Sequence, residues 1–130
     1  MFPFFRNMLV FDRFSSFSSD PRWPLLEGVF RTRFHRDGDD SGDFLEFGVA
    51  GGKSIAIAHA IARQVGFKRM RFFAFDTFEG FPYSEGHLQR GFYAAPLCWV
   101  MKNIRSHGVD TRKVVAVQGV FSESLTDELK

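Results

Sequence analysis

Residues 43–54, Asp43-Phe44-Leu45-Glu46-Phe47-Gly48-Val49-Ala50-Gly51-Gly52-Lys53-Ser54, decide how the chain is read. Phe44-Leu45-Glu46-Phe47-Gly48 reads as a short strand that ends in glycine. Gly48, Gly51 and Gly52 make a flexible turn, and a helix is predicted from Ser54 to Val65, with Ile55, Ala58, Ile61, Ala62 and Val65 at helical spacing. Gly66 is a natural stop. Arg71–Phe75 is a second apolar run, closed by Asp76, of the kind a strand buried on both faces of a parallel sheet needs.

Beyond the loop of residues 77–91, a second helix is predicted over about Tyr93–His107, with Leu97, Val100, Met101 and Ile104 as its apolar stripe. Pro96 is tolerable there only in the first turn, and Gly108 ends the helix. Lys113–Val117 is a β-branched third strand, Gln118–Ser122 turns out of it, and Glu123–Lys130 begins a further helix. The predicted fold is therefore α/β: a Rossmann-like βαβαβ unit, half of a doubly wound sheet. Right-handed crossovers place its strands in the order 3-2-1, with ligand groups at their carboxyl ends.

Upstream, the texture differs. The chain has 18 Phe, and six of them (Phe2, Phe4, Phe5, Phe11, Phe14 and Phe17) fall in the first 17 residues. Rings without a polar handle are expected to pack inside or against a partner. The Ser-rich residues 15–20 and the pair Trp23-Pro24 are expected to break this region into short pieces, and residues 36–42 read as a polar linker. The expected organisation is a Phe-rich helical extension and linker at 1–42, then a ligand-binding half-domain at 43–130 that is truncated at its C-terminal side.

Composition excludes several classes. A net charge of +2, with scattered basic residues, gives no footprint for nucleic acid or an anionic membrane. The N-terminus lacks a basic n-region and a cleavage site, and no run approaches the ~20 apolar residues of a membrane span. Cys98 is the only cysteine, so no internal disulfide is possible. A cytoplasmic protein is expected. Cys98 itself, beside an apolar stripe, reads as a small core residue. His35, His59, His87 and His107 are dispersed without metal-ligand spacing, and His59 reads as structural.

The chemistry converges on the strand ends. Small residues in the first turn let the backbone pass close to a ligand. Asp76, 24 positions after Gly52, is placed to accept hydrogen bonds from ribose hydroxyls. Glu46 inside an apolar strand is costly unless it is paired with a neighbouring Arg or bonded to ligand. Ser54 reads as a possible helix cap. A dinucleotide site would want G-x-G-x-x-G, which residues 48–52 do not supply. Gly52-Lys53-Ser54 matches the end of a P-loop, but Phe47 stands where its first Gly belongs and Gly48 is one residue too close. S-adenosylmethionine has no phosphate and needs only a short glycine turn, so it fits best.

The string Gly42–Ser54 resembles the first motif of the macrocin O-methyltransferase family. Asp76-Thr77-Phe78-Glu79-Gly80-Phe81-Pro82 is similar to that family's loop after the second strand, and Gly91-Phe92, Asn103-Ile104 and Gln118-Gly119-Val120-Phe121 extend the likeness. The resemblance implies a class I methyltransferase fold and S-adenosylmethionine-dependent methyl transfer to a hydroxyl of a sugar or other small-molecule acceptor. It implies that Glu46, Gly48, Val49, Ala50, Gly51, Gly52 and Ser54 line the methionine end of the cofactor. Asp76 would lie at the ribose, with Phe78, Gly119, Val120, Phe121 and Ser122 nearer the adenine, and Thr77 is also among the cofactor-binding residues. The family also implies a magnesium ion, whose ligands would follow later strands than this sequence contains, so the catalytic residues are not assigned. A cofactor-binding fragment without activity is the alternative. An apolar first strand with no partner on its far edge would favour a homo-oligomer.

Overall fold

The computed structural model of the protein describes residues 17–37 and 42–126. The elements are α1 (Arg22–Asp37), β1 (Phe44–Phe47), α2 (Lys53–Val65), β2 (Phe72–Asp76), α3 (Leu97–Ser106), β3 (Val114–Gln118) and the single turn α4 (Phe121–Ser124). All three strands are parallel, in the order β1-β2-β3, which counted from the other edge is the expected 3-2-1. Phe47 lies opposite Phe75 and Asp76 opposite Gln118, so the carboxyl ends form one rim.

Side chains alternate across the sheet. Phe44, Phe72, Ala74, Val114 and Ala116 face the core shared with α1, α2 and α3. Helix α2 is buried on more of its circumference than a single stripe requires, because α1 packs along it as well: Ala56, Ile57 and His59 are buried beside the predicted positions. His59 is structural, as read. Its Nε2 accepts the Asp110 backbone N–H at 3.2 Å, and burial, with Arg63 and Lys113 nearby, pushes its pKa down to about 4.

Several expectations are corrected. Trp23-Pro24 does not break the extension, because Pro24 falls in the first turn of a 16-residue helix, where its missing N–H is not needed. Asp20 accepts the Arg22 backbone N–H at 3.0 Å and so helps begin that helix. Phe2, Phe4, Phe5, Phe11 and Phe14, together with most of the expected linker (residues 38–41), lie outside the described residues. Helix α3 starts at Leu97 rather than near Tyr93. Tyr93 sits at φ 62° and Pro96 caps the helix in an extended conformation, which also disfavours helix for Ala95. Cys98 is exposed and is not a core residue: Val100 and Ile104 turn inward, and position 98 lies off that face. Strand β3 ends one residue later than expected, after a one-turn 3-10 helix at Thr111–Lys113. Helix α4 begins two residues earlier than expected, at Phe121.

The other sheet face carries Leu45, Phe47, Phe73, Phe75, Val115 and Val117. Phe47 stacks on Phe75 at 4.7 Å, and the Phe121 ring meets Phe47 edge-on. Leu45 and Phe47 remain about half exposed (52% and 51%).

Gly52 fixes the distance between α2 and α3. At φ +82°, a Cβ placed there would lie 2.4 Å from Ile104 Cγ2. Gly52→Ala is expected to lower stability by about 2–4 kcal/mol, combining a left-handed non-glycine residue with an overpacked contact. Urea unfolding measures this, and an unchanged midpoint would contradict the close approach.

Candidate active site

The turn between β1 and α2 is held from the end of β2. Asp76 Oδ2 accepts the backbone N–H groups of Val49 (2.7 Å) and Ala50 (3.3 Å), and Asp76 Oδ1 accepts that of Phe78 (2.9 Å). Asn103 on α3 donates its Nδ2 to the Gly51 carbonyl at 2.8 Å from the other side. Gly48 (φ +83°) adopts a backbone conformation that glycine takes without strain, and the space where its Cβ would be is open.

That open space belongs to a cleft of about 670 Å³ across the strand ends. Gly48, Ala50, Asp76 and Thr77 line one part, and Gly119, Val120, Phe121 and Ser122 line another. Gly80, Phe81, Pro82, Tyr83, Phe92 and Tyr93 complete the wall. Eight of the residues singled out in the sequence thus meet in one cavity. Val49, Gly51, Gly52 and Phe78 stand behind it as backbone partners or core, with Phe78 only 3% exposed. No role at the site was assigned from the sequence to Phe81, Phe92 and Tyr93 of the aromatic wall. Its loop is an ordered hairpin: Phe81 N–H donates to the Phe92 carbonyl at 3.0 Å, and Gly91 N–H to the Phe81 carbonyl at 2.9 Å. Gly80 allows the two arms to close, since a Cβ there would lie 2.5 Å from the Gly91 oxygen. Gly91 and Gly80 were the available signals, but the helical pattern of the following residues masked them.

Glu46 and Ser54 lie on the helix-covered side of the turn. Ser54 does not cap α2; its Oγ accepts from Arg22 Nη1 at 2.6 Å. Lys53, at the P-loop position, reaches Asp20 Oδ2 at 2.8 Å. None of the residues lining the cleft is basic. Glu46 is half-buried; its Oε2 is buried and has no hydrogen-bond partner among the described residues. Burial pushes its pKa up to about 7, against the hydrogen bond to Ser54 and the charge of Arg22; the Asp76 carboxylate raises it further. Among the described residues, no group of three or more His, Cys, Asp or Glu side chains is gathered that could hold a metal.

The family model of the macrocin-O-methyltransferases (TylF) matches residues 35–129. The chain belongs to this family. Two solved structures share its fold. One is the O-methyltransferase NovP, with a TM-score of 0.66 and 20% identity over 82% of this chain and 48% of that one. The other is CalS11, the calicheamicin methyltransferase, with a TM-score of 0.56 and 20% identity over 95% of this chain and 61% of that one. The chain therefore spans about half to three-fifths of their lengths. No match is found among the curated proteins. Membership in a methyltransferase family accords with a cleft at the strand ends of a parallel sheet, where such folds bind their ligands.

Glu46 makes stability depend on pH. Between its ordinary value of 4.5 and about 7, the folded chain keeps the proton that the unfolded chain releases, so this group's contribution declines as pH rises through that window. Glu46→Gln is expected to gain stability relative to the parent between pH 5 and 8, by roughly 1–3 kcal/mol in all. Urea titrations at several pH values read this, and a pH-independent difference would contradict the burial of the acid.

Proposed function

We propose that this chain supplies the S-adenosylmethionine site of an O-methyltransferase that acts on a hydroxyl of a sugar or other small molecule. The observation that carries the reading is the cleft itself: one carboxylate, Asp76, open backbone at Gly48, an apolar wall and no cation among its lining residues. A triphosphate would need cationic partners, and no basic residue lines this wall. Lys53 and Ser54, the residues a P-loop would use, are turned toward Asp20 and Arg22 instead.

When bound, S-adenosylmethionine supplies an electrophilic methyl group on a sulfonium sulfur. The residues of the chain bind and orient it. The Gly48–Gly52 turn takes the amino-acid end, with Glu46 and Ser54 behind. A carboxylate accepts about four hydrogen bonds, so Asp76, already holding three amides, keeps capacity for a ribose hydroxyl. Gly119–Ser122 and the aromatic loop flank the base. Rate gain in such a site comes mainly from holding the two reactants in line. The described residues gather no group of three or more His, Cys, Asp or Glu side chains that would hold a magnesium ion. No helix among them is long and apolar enough to cross a membrane. The reading places the protein in the cytoplasm, with no nucleic acid or membrane as partner. It also makes the half-exposed face of Leu45, Phe47 and Val115 a contact between two copies.

Titration calorimetry with S-adenosylhomocysteine and with ATP tests the assignment. Binding of the first and not the second is expected, and the reverse would overturn it. Asp76→Ala is expected to weaken S-adenosylhomocysteine by roughly 10–100-fold, the loss of one or two charge-assisted hydrogen bonds; an unchanged dissociation constant would refute the ribose role. Light scattering of the chain is expected to show a dimer or larger species, and a stable monomer would remove the proposed contact.

A further inference from the structure

Among the described residues, three that are not glycine sit at a left-handed φ: Ala50 (46°), Phe78 (57°) and Tyr93 (62°). Such a backbone is uncommon for an L-residue and persists only where the surroundings hold it. For the first two the restraint is visible. Asp76 holds the backbone N–H groups of Ala50 and Phe78, and Phe78 is buried. Tyr93 has neither support: it is 75% exposed, and among the described residues neither its backbone N–H nor its hydroxyl makes a hydrogen bond. Its neighbours impose the bend. The Phe92 carbonyl accepts from Phe81 N–H at 3.0 Å on one side, and Ala94 N–H donates to the Gly91 carbonyl at 3.2 Å on the other.

The bend sets Tyr93 in the wall of the strand-end cleft. Its ring lies 6.0 Å from that of Phe81, inclined at 59°, and 6.4 Å from that of Phe92, at 80°. Exposure rises along this wall from the half-buried Phe81 through Phe92 (44%) to Tyr93. The two neighbours thus back the Tyr93 ring and leave most of it uncovered. A large ring left in water on a strained backbone contributes little to folding, so its value lies in what it meets there. We propose that Tyr93 is a binding residue whose ring covers the planar base of the cofactor from the solvent side, so that the strain at this bend serves binding and not folding. The inference rests on the S-adenosylmethionine reading and adds a residue to that site. Phe78, which the family resemblance sets nearer the adenine, is buried behind the cleft, and the hairpin rings are the aromatic surface that remains open to a ligand. Stacking on a base needs no charge, and the only charged residue in the lining is Asp76. A tyrosine also has few rotatable bonds to immobilise on binding.

The experiment compares the full chain with Tyr93→Gly and Tyr93→Phe, reading S-adenosylhomocysteine affinity by calorimetry and stability by urea unfolding without ligand. Glycine removes the ring and adopts the left-handed backbone without strain. Tyr93→Gly is expected to weaken S-adenosylhomocysteine by roughly 5–100-fold, the loss of one base–aromatic stack, while its urea midpoint stays level with the parent's or rises. Tyr93→Phe keeps the ring and is expected to keep the parent's affinity. An unchanged dissociation constant in Tyr93→Gly would overturn the proposal. So would weaker binding together with a lowered urea midpoint, which marks a ring that supports the fold. Tyr93→Phe as weak as Tyr93→Gly would overturn it too, because a hydroxyl contact and not ring cover would then carry the binding. Should glycine loosen the hairpin, Tyr93→Asn, which tolerates the same backbone with less freedom, must show the same split between affinity and stability. Failure of the parent to bind S-adenosylhomocysteine would fell the cofactor reading and this proposal with it, whereas a parent that binds and a Tyr93→Gly that binds equally well fell this proposal alone.

Discussion

The Asp76 carboxylate, fastened to the amides of Val49, Ala50 and Phe78, is the contact on which the cleft depends. Hydrogen bonds to an ionised acceptor are about twice as strong as neutral ones, and here they join two different strand ends. They fix the glycine turn against β2, they set the direction in which α2 leaves the sheet, and they hold Phe78 at a positive φ that such a residue rarely adopts. Asn103 and the tight Gly52–Ile104 approach secure the far side of the same turn. A shaped cavity follows because backbone, not mobile side chains, forms its floor.

Electrostatics then selects among ligands. The cations nearest the turn, Lys53 and Arg22, point away from the cleft and are balanced by Asp20. The cavity keeps one carboxylate and a wall of Phe81, Tyr83, Phe92 and Tyr93. Such a site suits a ligand with hydroxyls to donate, a planar base to cover and no phosphate to neutralise. The two acids of the region also differ in kind. Asp76 holds three amides at the rim, whereas the half-buried Glu46 lies on the helix-covered side with its Oε2 unpartnered.

Much of this was legible in the sequence because it is local. Short apolar runs closed by Gly48, Asp76 and Gln118 gave three strands, and the parallel order follows from the helices between them. Gly66 as a helix stop and the Val100–Ile104 stripe depend only on spacing. What escaped was non-local. Trp23-Pro24 looked like a breaker because a proline's effect depends on which turn of a helix it occupies. The Phe92–Tyr93 wall was hidden because its hairpin is held by Gly80 fitting against Gly91, an approach between residues eleven apart that no periodicity announces. The partners of Lys53 and Ser54 lie at the start of α1, more than thirty residues upstream, so a motif read alone gave them the wrong surroundings.

The most direct measurement is amide chemical-shift mapping of the isotope-labelled chain on addition of S-adenosylhomocysteine. If the glycine turn and Asp76 face one adenosine-shaped slot, the Gly48, Ala50, Thr77 and Gly119–Ser122 amides shift together and saturate with a single dissociation constant. Shifts confined to residues away from the strand ends, or none at the strand ends at saturating ligand, would contradict it.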